Sequence, residues 1–259
     1  MSAMMNTNAV LSLTRQHFRN LGLTLPAALT GDLADLDTAA SRTAQLGRRG
    51  ALPAAILDAL MADIDPATDA AVLTELARQQ LADTSVSSIL RDEIEQRRRA
   101  ALTTHAPAIL DALTPVIADA DKALTAAREL IGDQLDLNDG AVTQLRPAQM
   151  SAWGAAREHA ARVELVAQCW GIVAEFARLA DIHHDKRPLV LADLSAEQLG
   201  QLGYRPQPEA VIGAGHRLAL ASPEEYAARC QRVDQEQQQA AAKAEAARNA
   251  ALTGRRAAA

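Results

Sequence analysis

Residues 110–131 read LDALTPVIADADKALTAARELI, and within them Leu110, Leu113, Ile117, Ala120, Leu124, Ala127 and Ile131 recur at alternating intervals of three and four. This spacing keeps one side of an α-helix apolar over about six turns, and such a seam is stable only when a second helix covers it. In this reading Pro107 begins the helical stretch, with Pro115 as a kink or as the true start.

The covering helix is expected from about Pro147 to Lys186. Val163, Val166, Trp170, Val173, Ala177 and Ala180 form one seam there, and Leu165, Cys169, Ile172, Phe176 and Leu179 form a second beside it. Two adjacent seams describe a helix buried on more than one side, the central helix of a bundle.

Composition agrees with that fold. Alanine makes up about a fifth of the 259 residues and aromatic residues 2%, which favours helix and disfavours sheet. Alanine buries little area per side chain, so the expectation is an all-α, irregular bundle of long Ala/Leu-rich helices with thin, partly coiled-coil interfaces that association between chains completes.

Breakers divide the remainder of the chain. Helices are expected over residues 8–20, from Pro26 to the Gly47–Gly50 stretch, from Pro53, and from Asp65-Pro66 through Leu81. That last helix is expected to break at Thr84-Ser85 and to continue through Ile89, Leu90 and Ile94 to RDEIEQRRR. The organisation read from this is a helical body over 1–187, a Pro/Gly-rich irregular segment over 188–221 with a short helix near Ser195–Leu202, and a C-terminal segment over 222–259. The last starts at Ser222-Pro223-Glu224-Glu225 and ends as a helical or disordered basic tail rich in Ala and Gln.

Charge and cysteine content narrow the function classes. A net charge of −6 argues against a dedicated nucleic-acid binder, which needs a concentrated positive field. From Arg229 onward, however, six basic residues stand against three acidic ones, so the tail is basic on an acidic body and suits an acidic partner. Cys169 and Cys230 read as buried or incidental thiols of a reducing, cytoplasmic setting. With no apolar run of the length of a membrane span read in the chain, no membrane partner is expected.

The one motif that raises catalysis is ADIHHDKRP, residues 180–188. With His159 upstream, the His184-Asp185 doublet resembles the HD-type metal phosphohydrolases. In that family a His, a His-Asp pair and a later Asp, here Asp193 or Asp234, hold metals that activate water for phosphoester hydrolysis. In one continuous helix, His159 and His184 would stand roughly 37 Å apart, so the metal reading requires a hairpin at Gly171. The preferred reading makes residues 183–187 the polar last turn of the central helix, with Pro188 ending it and no metal or other cofactor bound.

DQLDLNDG at 133–140 lacks calcium-loop spacing and reads as an interhelix loop. VIGAGHRL lacks the third glycine of a nucleotide loop and reads as a turn. Arg91, Arg97, Arg98 and Arg99, together with Arg248, Arg255 and Arg256 in the tail, are the candidate partner-binding cations; on the first group a regulatory adaptor for an anionic partner is the alternative reading. The preferred function is a non-enzymatic helical structural or assembly protein, cytoplasmic or virion-borne, that self-associates or binds an assembly subunit. In general character, acidic and helical with a basic C-terminal segment, the chain is similar to phage scaffolding and other virion-assembly proteins.

Overall fold

The structure, a computed structural model, describes residues 6–46, 51–83, 86–132, 135, 137, 145–203 and 207–257. Among these residues all long elements are helical and no strand occurs. In chain order the helices are α1 (Thr7–Leu21), α2 (Ala27–Leu46), α3 (Leu52–Met61), α4 (Ala70–Asp83), α5 (Val86–Asp111), α6 (Thr114–Ile131), α7 (Pro147–Phe176), a 3-10 helix (His184–Val190), α8 (Ala196–Leu202), α9 (Pro208–Gly213) and α10 (Pro223–Ala257).

The chain forms two compact units. The smaller contains Asn6–Asn8 and Leu25–His105, and the larger Ala9–Thr24 and Ala106–Ala259. In the smaller unit α4 packs on α3 and α2. There, Arg98 of α5 donates to Asp37 at 2.6 Å and His105 of α5 pairs with Asp32 at 2.8 Å, both carboxylates on α2. Asn8 adds a bond to Glu95 at 3.1 Å.

In the larger unit the expected pairing is found, with α6 lying along α7. Leu110, Leu113, Ile117, Ala120, Leu124 and Ala127 are all buried. On α7 the first seam is buried through Val163, Val166, Trp170 and Val173, while in the second Cys169 and Phe176 are buried and Leu165 and Ile172 half-buried. Residues 88–131, across α5 and α6, contain an 18-residue window of mean hydropathy 1.2, which meets the length and composition of a membrane span without being a continuous apolar run. Of that window 44% is buried within the protein, and Ile109, Leu113 and Ile117 of this stretch sit in the core.

Three helix boundaries differ from expectation: α4 begins at Ala70, capped by Asp69, rather than at Asp65-Pro66, and the other two lie at Pro107 and at the end of α7. Pro107 does not start a helix but lies inside α5, and Thr114 with Pro115 starts α6. Burial of Ala106, Ile109 and Leu110 on either side holds the helix through the proline despite the lost donor. More consequentially, α7 ends at Phe176 rather than near Lys186. Arg178 takes φ 56°, and its amide bonds to the Glu175 carbonyl at 3.1 Å while the Leu179 amide returns to Ala174 at 2.9 Å. This is a Schellman stop, usually made by glycine, as Gly22 makes it after α1.

Candidate interaction surfaces

Residues 183–187 are therefore not the last turn of α7. After Arg178 the chain turns back, Ile182 Cδ1 approaches to 3.5 Å from the position a Cβ on Gly171 would take, and His184–Val190 form a 3-10 helix with Lys186, Pro188, Leu189 and Val190 buried. Helix α7 runs unbroken through Gly171. His159 stands twelve residues before Gly171, roughly 18 Å along the axis, half-buried with Nδ1 lacking a hydrogen-bond partner. His184 and Asp185 are exposed. Asp193 is held by Arg232, which keeps its carboxyl below the ordinary range, and Asp234 is held by Lys186 at 2.6 Å. Among the described residues no three His, Cys, Asp or Glu side chains converge as a metal site.

The polar residues of this region do something else: they fasten the start of α10. Ser222 caps it, with the Glu225 amide donating to Ser222 Oγ at 3.2 Å and the Ser222 amide to Glu225 Oε2 at 2.9 Å, the capping box that Ser-Pro-Glu-Glu encodes. Glu224, hydrogen-bonded to its own backbone amide and to Ser222, titrates below its ordinary range. Tyr226 packs edge-on against Trp170 with centroids 5.3 Å apart, and the Trp170 indole donates to the Ala221 carbonyl at 3.0 Å.

One turn after another then reaches into residues 186–196. Arg229 donates to the Leu189 carbonyl at 2.9 Å, Arg232 to Asp193 and to the Leu194 carbonyl, and Glu236 accepts the Ala196 amide at 2.6 Å. The extended segment before α10 is fixed from both sides. Ala219 and Ala221 donate to the Leu191 and Val190 carbonyls at 2.7 and 2.8 Å, and buried Asp121 of α6 receives Arg217 and the Leu218 amide.

Beyond Glu236 every described side chain of α10, residues 237–249, is exposed. The helix continues in exposed form because its anchored first half supplies the costly nucleus, and Ala, Gln, Lys, Glu and Arg each propagate helix well. Arg248 lies on this free half; Arg255 and Arg256 belong to the same helix, but their side chains fall outside the described residues.

The α5 arginines are placed differently from one another. Arg97 pairs with Glu93 one turn away at 2.8 Å and is exposed, whereas Arg98 is committed to Asp37, with Asn8 at 3.4 Å. Arg91 is exposed and Arg99 half-buried.

The sequence reading missed a surface on the smaller unit. The inner face of α3 is Leu52, Ala55, Ile56 and buried Ala59, but Leu57, Leu60 and Met61 form a second apolar face at 58, 59 and 79% exposure. Their i, i+3, i+4 spacing is visible in LPAAILDALM; that no described element covers them is not. DQLDLNDG falls largely outside the described residues. Comparison of the chain with protein-family models, with curated proteins and with solved structures finds no match in any of the three.

Proposed function

We propose that this chain is a non-enzymatic helical assembly protein that joins partner subunits through its long helices, in the manner of the scaffolding proteins of virions. The observation that carries the reading is α10: a 35-residue helix clamped over its first fourteen residues, with its described remainder wholly exposed and basic in sequence. A helix of this kind adds nothing to the core that anchors it, so its length and charge serve contact with another chain. The engagement of Asp193 and Asp234 in ion pairs that secure α10 supports the same reading.

The test is sedimentation velocity and partner capture, comparing the full chain with a form ending at Glu236. Concentration-dependent association or capture that is lost on truncation is the expected result. A chain that stays strictly monomeric and captures no partner subunit in either form overturns the assembly function.

A further inference from the structure

We propose that the uncovered face of α3 receives the basic distal half of α10 from a second copy of the chain, so that copies join head to tail. This deepens the assembly reading and rests on it.

The docking face is defined by a helix that is apolar all round. Helix α3 has only Asp58 as a charged residue, and a helix with apolar residues on every side belongs in an interior. Its inner face is used, and its outer face of Leu57, Leu60 and Met61 is left open. Helix α4, packed on α3, has two exposed apolar side chains of its own, Leu73 and Leu76, at 47 and 42%. Leu57, Leu60 and Met61, each more than half exposed, leave on the order of 300 Å² of apolar surface, within the range for a monomer's largest patch.

Charge selects the occupant. Residues 51–83 carry six acidic side chains and one basic, Arg78, which is paired with Glu75. Two such faces brought together would set like charges against each other, which disfavours a symmetric pair. Residues 237–257 have the opposite sign, with Lys243, Arg248, Arg255 and Arg256 against Glu245. The seam on which Tyr226, Cys230 and Val233 face the body continues at the same spacing as Gln237, Ala240, Ala244 and Ala247, all exposed. Small side chains along that line give the Leu and Met side chains of α3 room to seat between turns. Because the two surfaces differ, the contact is heterologous and builds open chains or a ring.

Two full-length variants test this, each changing only positions on the proposed surfaces. The face variant carries Leu60→Asp and Met61→Asp; the tail variant carries Lys243→Glu, Arg248→Glu, Arg255→Glu and Arg256→Glu. Light scattering after gel filtration is expected to show a salt-sensitive series of oligomers for the unmodified chain and a monomer for each variant alone. An equimolar mixture is expected to give a 1:1 complex, bound at least roughly tenfold more tightly than either variant binds itself, because the tail variant keeps a face and the face variant keeps a tail. A tail variant that still dimerises shows a symmetric face contact and overturns the proposal, as does a face variant that still dimerises through its tail. A mixture that stays monomeric, or an unmodified chain that does not self-associate, also overturns it. If in any of these cases the chain still captures a different subunit, the assembly function stands and only this docking fails.

Discussion

Asp121, 4% exposed on α6, accepts the backbone amide of Leu218 at 2.8 Å while its second carboxylate oxygen accepts from Arg217 Nε at 2.7 Å. The two bonds differ in worth. The Leu218 amide is buried, so losing its acceptor strands a donor, whereas the Arg217 side chain is 71% exposed and water replaces its partner. Asp121→Ala is expected to cost about 2–3 kcal/mol in urea unfolding and Asp121→Asn about half as much. Arg217→Ala is expected to cost much less than either; an equal loss would mean that the ion pair, and not the amide, fixes the segment.

Arg178 occupies the left-handed region at φ 56°, where a side chain other than glycine is disfavoured. Arg178→Gly is expected to stabilise the protein by about 1 kcal/mol, seen as a rise in Tm of roughly 2–4 °C for a chain of this size. A fall in Tm would show that the arginine side chain contributes more than its backbone costs.

Lys186, 8% exposed, rests on Asp234, whose side chain is 48% exposed. Removing the carboxylate leaves a nearly buried ammonium alone. Asp234→Ala is expected to cost about 2 kcal/mol, below the full penalty of a buried pair because Asp234 is partly screened by solvent. Lys186→Met, which removes the charge and keeps the volume, is expected to stay within about 1 kcal/mol of the parent. The order of the two midpoints in denaturant is the check.

Burial lowers the titration of His17 below its ordinary 6.5, and its Nδ1 has no hydrogen-bond partner. The folded state thus prefers the neutral ring. Its stabilising contribution is fully present above the ordinary imidazole range and is lost as pH falls through the lowered value. His17→Gln is expected to flatten the decline of Tm between neutral pH and about pH 5, and an unchanged decline would assign the acid sensitivity to other groups.

Cys169 gives the opposite sign. Burial pushes its thiol up to about 12 from 9.0, so the folded state keeps the proton where the unfolded chain would lose it. Stability is expected to fall as pH climbs from about 9 toward 12. Thiol labelling of the native protein should modify half-buried Cys230 well before fully buried Cys169. Equal rates would show that α7 opens as readily as the surface.

The α6–α7 pairing was legible because Leu, Ile and Val hold their spacing over many turns, and burial follows such spacing closely. The end of α7 was not, because its stop uses Arg178 in a conformation that sequence associates with glycine, and Ala177, Leu179 and Ala180 carry the apolar pattern past it. That single residue changed the meaning of HHDKR. Its lysine became a buried anchor for α10 instead of part of a wet helix end. Arg98 was equally unreadable, since the Asp37 that engages it lies 61 positions away in sequence. The outer face of α3 was fully present in the letters, but three exposed apolar side chains and three buried ones have the same spacing.

Helix α10 has no joint between its clamped and its exposed parts: Asp234 and Glu236 are still held where the free half begins, and the hydrogen-bonded backbone runs on to Ala257. Mechanically it is a cantilever, with its root set in the larger unit and about 30 Å of rod beyond it. A flexible tail would search a volume. This one carries Lys243 and Arg248 at a fixed distance and bearing, so a partner bound there would take its spacing from the length of the rod.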